Sequence, residues 1–155
     1  MRGARGRIIV VTMTTTSETR TIEPATAEWL CARFHDVFTT FEAGEEAFVP
    51  DVFCDLNMPE WRFQLQGRDA FAAQLARINE GPSRVEVLRT VPTTSGFVTE
   101  HVEHQDVNGE DRSARRLIVC EVVRGRIAEV TVYCTGEWND ELRARHAAEA
   151  PMIRT

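Results

Sequence analysis

Apolar residues recur at helical spacing from Pro24 to Phe41, where Leu30, Phe34, Val37, Phe38 and Phe41 fall on one stripe. Thr26, with Glu28 nearby, offers a helix start, and Gly44 offers a stop just past the end. Cys31 and His35 lie one turn apart on the flank of the stripe, so His35 is expected at a boundary with its edge in solvent. Glu45 to Val49 suits a short second helical turn, broken by Pro50-Asp51. Gly67 to Gly81 is the clearest helix: Phe71, Leu75 and Ile78 make its stripe, Asp69 suits the first turn, and Gly81-Pro82 ends it. Between the two lies a strand, Val52 to Asn57, with Asp55 and Asn57 on one face, followed by a loop or irregular continuation at Met58-Pro59-Glu60-Trp61.

From Arg84 the period changes to two. Strands are expected from Arg84 to the turn at Thr93-Thr-Ser-Gly96, from Phe97 to Val107, from Ala114 to Val123 and from Arg126 to Cys134. Asn139 to Ala148 reads as a short closing helix, stopped by Pro151. Helices first and a long antiparallel meander afterwards predict an α+β domain. The sheet is expected to curve as a cone around three N-terminal helices and to leave an enclosed pocket. With no repeat and no linker, residues 21–150 read as one domain and residues 1–20 as a flexible tail.

The strand Phe97–Val107 is polar on both faces. Thr99, His101, Glu103 and Gln105 share one, and Val98, Glu100, Val102 and His104 the other. Such a strand either lines a wet pocket or is an exposed edge. Asn108-Gly109 signals a hairpin; a loop of two or four residues puts Arg116 on the His101 face, and a loop of three puts it on the reverse. In the last strand Ala128, Val130, Val132 and Cys134 suit the enclosed side, and matching them to Arg116, Ile118 and Cys120 calls for a three-residue turn around Gly125.

Composition narrows the functions. The net charge of −6 argues against nucleic acid, which needs a basic face. No stretch approaches the length of a membrane span. The four cysteines are scattered and lack a Cys-x-x-Cys, which suggests buried free thiols in a reducing, cytoplasmic compartment.

Local motifs place this pattern among known proteins. Asn57-Met58-Pro59, Gly67-Arg68-Asp69-Ala70, Thr99-Glu100-x-Val102 and Gly125-x-Ile127 resemble limonene epoxide hydrolase in place. The order of elements from Thr26 to Trp138 resembles the wider nuclear-transport-factor-2-like superfamily, which also holds polyketide-cyclase-like proteins, ketosteroid isomerases and scytalone dehydratase. The resemblance implies a conical domain around an apolar pocket, often a homodimer through the outer sheet face. It also implies that Asn57 positions water. The chain departs from the hydrolase pattern at Asp55, where a Tyr is expected, at His101 and Glu103, where an Arg and an Asp are expected, and at Val132, where a second Asp is expected.

His101 and Glu103 share a face about 7 Å apart. A Glu beside an imidazole can hold its tautomer and raise its pKa. Asp55 could supply a second carboxylate, and in apolar surroundings such groups divide into an acid and a base. The expected catalytic set is therefore Asp55, His101 and Glu103; the structural alternative is a cross-strand ion pair of Glu103 and Arg116 with His101 bonded beside it. Asn57, Trp61, Arg116, Val132 and Cys134 are expected to bind substrate, with Arg116 as an anion clamp. No metal or cofactor is expected, because His104 points away from His101 and leaves no converging ligand set. The reading is an enzyme without a cofactor that isomerises, cyclises, dehydrates or hydrolyses a small apolar or polycyclic molecule by general acid/base catalysis. The alternative is a non-catalytic small-molecule-binding or dimeric interaction protein on the same fold.

Overall fold

The computed structural model describes residues 21–79, 81–150 and 152. The expected tail, residues 1–20, lies outside them. The order is α1 (Pro24–Thr40), β1 (Phe48–Asn57), β2 (Arg62–Gln66), α2 (Arg68–Ile78), β3 (Arg84–Pro92), β4 (Gly96–Val107), β5 (Glu110–Val123), β6 (Arg126–Trp138) and α3 (Asp140–Glu149). The fold is the α+β cone, with two corrections to its parts. Only two of the three expected N-terminal helices form, the expected closing helix being α3, and the six-stranded sheet, ordered β2-β1-β6-β5-β4-β3, is mixed because β1 runs parallel to β6. The residues around Glu45 make one turn, closed by Phe48 N–H donating to Gly44 O, and pass into β1. Strand β2 had no counterpart in the expected elements.

Helix α1 starts on Pro24, whose missing N–H costs nothing in a first turn. It ends at Phe41, not Gly44: Phe41 is left-handed (φ 56°) and its N–H donates to Val37 O. Packing overrides the steric preference for glycine, because Phe41 leans on the core. Helix α1 lies on β3 and β4, and α2 on β1 and β2. The core is filled by Phe34, Phe38, Phe48, Phe71 and Phe97, all at most 1% exposed. Each such ring contributes roughly 1.5–3 kcal/mol through burial.

Register decides which side chains reach that mouth. The β4–β5 hairpin closes on two residues, Asn108 (φ 56°) and Gly109 (φ 83°), so Arg116 sits opposite His101. Between β5 and β6 the turn is the pair Arg124-Gly125, and a bulge between Glu121 and Val122 restores the expected pairing of Cys120 with Val130, Ile118 with Val132 and Arg116 with Cys134. The bulge puts Ile127, fully buried, into the core where Ala128 had been expected.

Candidate functional site

A cleft of about 460 Å³ opens at the cone mouth, lined by Met58, Pro59, Glu60, Trp61, Arg116, Cys134, Gly136 and Glu137. One wall is the β1–β2 connection and the other the end of β6. A second bulge, between the Ala114 and Arg116 pairings, bends β6 here. Gly136 occupies it at φ 92°, and a Cβ on it would come within 3.1 Å of Pro59 Cγ. Glycine thus supplies both the backbone angle and the room for Pro59 to approach. Trp61, Arg116 and Cys134, three of the expected binding residues, meet in this cleft. Trp61 is 68% exposed and stands on the rim.

The floor is polar and dry. Arg116 is 6% exposed and Glu103 2%. Arg116 Nη2 lies 2.5 Å from Glu103 Oε2, while Oε1 accepts from Ser83 Oγ (2.5 Å), Asn79 Nδ2 (3.2 Å) and Gln105 Nε2 (3.4 Å). The guanidinium also lies over the Phe38 ring, 5.5 Å from its centroid. With Nη2 committed, Arg116 Nε remains buried without a hydrogen-bond partner. It is a donor only. The Glu103 carboxylate offsets the guanidinium charge at the cleft floor. Glu60 and Glu137 on the walls push further against an anion.

His101 does not pair with Glu103, contrary to expectation. Its Nδ1 lies 2.9 Å from His35 Nε2, reaching across to α1, and Cys31 Sγ lies 3.6 Å from His35 Nδ1. Cys31 also meets Thr90 Oγ1 at 3.1 Å and Thr99 Oγ1 at 3.3 Å. His35, expected at a wet boundary, is 8% exposed, and His101 is wholly buried. Burial lowers the His35 pKa to about 4. Burial first, then the charges of His35 and Arg116, lower that of His101 to about 3. Both rings are neutral at physiological pH, the reverse of the raised pKa that a Glu partner would give. His101 Nε2 has no partner.

Asp55 and Asn57 are not brought to this site. β1 buries Val52, Cys54 and Leu56, so Asp55 and Asn57 face the outer side of the sheet, opposite Thr131 and Tyr133 of β6. Asp55 pairs there with Arg62 at 2.5 Å, and the hydrogen bond from Arg62 is the main cause of its lowered pKa. Asn57 Nδ2 donates to Val132 O at 3.2 Å. Val132 is 3% exposed and belongs to the core. Among the described residues no three His, Cys, Asp or Glu side chains are grouped to hold a metal, and no described helix is long and apolar enough to cross a membrane. Sequence reasoning missed His35 as the partner of His101 and missed Asn79 and Ser83 as the partners of Glu103. It also missed Met58, Pro59 and Glu137 as cleft walls.

The architecture is that of the nuclear-transport-factor-2-like fold, as solved structures show. An NTF2-like protein of unknown function from Mesorhizobium loti is 21% identical, with 72% of this chain and 93% of that one covered and a TM-score of 0.56. A protein from Jannaschia sp. CCS1, named for likeness to SnoaL-like polyketide cyclases, is 16% identical over 84% of this chain and 97% of its own, with a TM-score of 0.59. An LEH-like epoxide hydrolase of M. tuberculosis is 19% identical over 70% of this chain and 78% of its own, with a TM-score of 0.57. No family model and no curated protein sequence matches the chain.

Proposed function

We propose that the mouth cleft binds a small, mostly apolar, uncharged molecule through a carbonyl-type oxygen that accepts from the Arg116 guanidinium. The observation that carries this is the state of Arg116: largely buried, lining the cleft, its charge met by Glu103, with Met58, Pro59, Trp61 and Cys134 as the other walls. A hydrogen bond from a charged donor contributes about 1.5–3 kcal/mol. The test is a titration of a cyclic ketone and of the matching carboxylic acid by tryptophan fluorescence, with Trp61→Phe as the control for signal origin. The ketone should bind more tightly than the carboxylate. Its affinity should fall about tenfold in Arg116→Met combined with Glu103→Gln, a pair that avoids a buried unpaired carboxylate. A preference for the carboxylate, or an unchanged affinity in the double variant, would overturn the reading.

A second reading, acid/base turnover of that ligand, is favoured by one observation: His101 Nε2 is buried and partnerless on the strand paired with Arg116. A base with a pKa near 3 has little driving force at neutral pH, so binding ranks first. Exchange of α-protons of the bound ketone in D2O, lost in His101→Gln, would support turnover, and exchange no faster than in buffer would remove it. The buried thiols suit a cytoplasmic setting. The outer face, with Leu117 and Tyr133 39% and 54% exposed, suits pairing of two copies. Sedimentation velocity reads that directly, and a monomer at all concentrations would dismiss it.

A further inference from the structure

The sheet has two edges, and their side chains differ. On β2 the exposed positions are Arg62, Gln64 and Gln66, polar groups that discourage a further strand. On β3, at the opposite edge, Val87, Leu88 and Val91 are 47%, 43% and 49% exposed. Val87 pairs with His101 and shares its inner face, and Val91 pairs with Val98 and shares the outer one. The bulge between Val87 and Arg89 leaves Leu88 out of the pairing. Apolar side chains therefore meet solvent on both faces of β3, and an uncovered edge of this kind is a template for another strand.

The chain enters the domain beside that edge. Ile22 N–H donates to Thr93 O at 2.8 Å, just past the end of β3, and Ile22 packs against the core. Upstream, Ile8-Ile9-Val10-Val11-Thr12 is an unbroken run of β-branched residues. A strand covered on both faces reads as such a run. Residues 15–21 can span up to about 25 Å, whereas Leu88 lies about 17 Å along β3 from Thr93. Charge favours the approach too. Residues 1–20 hold Arg2, Arg5, Arg7 and Arg20 against Glu18, a net charge of +3, so with −6 overall the rest of the chain carries −9.

We infer that residues 8–14 of this chain add to the free edge of β3 as a further strand and cover Val87, Leu88 and Val91. Reach, composition and charge select this occupant. Main-chain hydrogen bonds hold it, and its apolar side chains go to both faces. Two segments that would each pair with other copies thereby cover one another. On this inference the expected tail is part of the domain. It does not depend on what the mouth cleft binds.

The experiment is hydrogen exchange followed by mass spectrometry on the full chain, beside Ile9→Asp combined with Val11→Asp, with fold checked by circular dichroism. Amides within residues 8–14 and on the free edge of residues 85–91 should exchange about tenfold or more slowly in the parent than in this variant. Leu88→Asp, on the receiving strand, should release residues 8–14 in the same way. The protection should survive about hundredfold dilution, because both strands belong to one chain. Protection lost on dilution would give the edge to a second copy. Equal exchange in parent and variants, or residues 8–14 exchanging freely in the parent, would leave the edge uncovered. Any of these results overturns the inference.

Discussion

Replacing Glu103 with Gln is the sharpest probe of the cleft floor. The side chain keeps its volume, and its remaining oxygen can still accept from Ser83, Asn79 and Gln105, as Oε1 does now. Its new amide nitrogen, however, would face Arg116 Nη2 where Oε2 now sits at 2.5 Å, donor against donor. The guanidinium, 6% exposed, then holds a charge with no counter-charge beside it. Breaking a buried pair on one side costs roughly 3–5 kcal/mol, a large part of a domain's total stability. At about 3 °C per kcal/mol for a chain of this size, the midpoint of thermal unfolding should drop by about 9–15 °C. Arg116→Met should cost a similar amount by stranding the carboxylate. The double variant loses charge on both sides and strands only one amide, so its cost should fall to about 1–3 kcal/mol, well below the sum of the singles. Thermal and urea unfolding of the four proteins by circular dichroism give the cycle. Additive losses would show that the two residues do not act as a pair, and the charge offset at the cleft floor would have to be abandoned.

Three other outcomes follow from the same geometry. His35 and His101 titrate near 4 and 3 in the folded chain and near 6.5 when unfolded, so between those values only the unfolded chain takes up their protons. Their contribution to stability is complete above about pH 6.5 and is lost as pH falls through the folded values, by up to about 2.7 kcal/mol per pH unit together. Urea midpoints against pH should show this slope roughly halved in His35→Asn, and an unchanged slope would contradict the assignment. Asp55→Asn should leave ketone affinity as in the parent, because Asp55 sits on the outer face; a loss of ligand binding on titration would restore it to the site. Gly136→Ala forces φ 92° on a residue with a Cβ and drives it against Pro59, so it should cost about 1–2 kcal/mol in urea unfolding and weaken ketone binding; a variant matching the parent in both would refute the role given to the bulge.

The fold was legible because its signals were local. The Phe34–Phe38 stripe, the Asn108-Gly109 turn and the period-two runs each act within a few residues. The two-residue hairpin then fixed His101 opposite Arg116, one of the alternatives that the turn left open. Strand β2 was missed because Arg62–Gln66 is short and alternates exposed with half-buried side chains, leaving a weak pattern. The parallel β1–β6 contact, between elements distant in sequence, has no local signature at all. That contact explains the misplacement of Asp55. The strand was correctly expected to carry Asp55 and Asn57 on one face, but which face turns inward is decided by where β1 joins the sheet. For Glu103 two partners were open, His101 and Arg116, and the ion pair with Arg116 is the one that forms, while His35 from α1, which no local pattern signals, takes His101.

The site turns on how one cation is divided. Had Glu103 paired with His101, Arg116 would stand alone at the cleft floor as a full positive charge, and an anionic ligand would follow. Instead Glu103 takes Nη2 and Phe38 takes the guanidinium face. A carboxylate ligand would meet the field of a neighbouring carboxylate, and Glu60 and Glu137 on the way in. A ketone oxygen gives up far less hydration to reach the guanidinium. Burial first, and then the neighbouring His35 and Arg116, keep the His101 ring neutral and weakly basic. Charge pairing within the floor weakens the pull on an anion, and this is why the ligand proposed for the cleft is an uncharged oxygen acceptor.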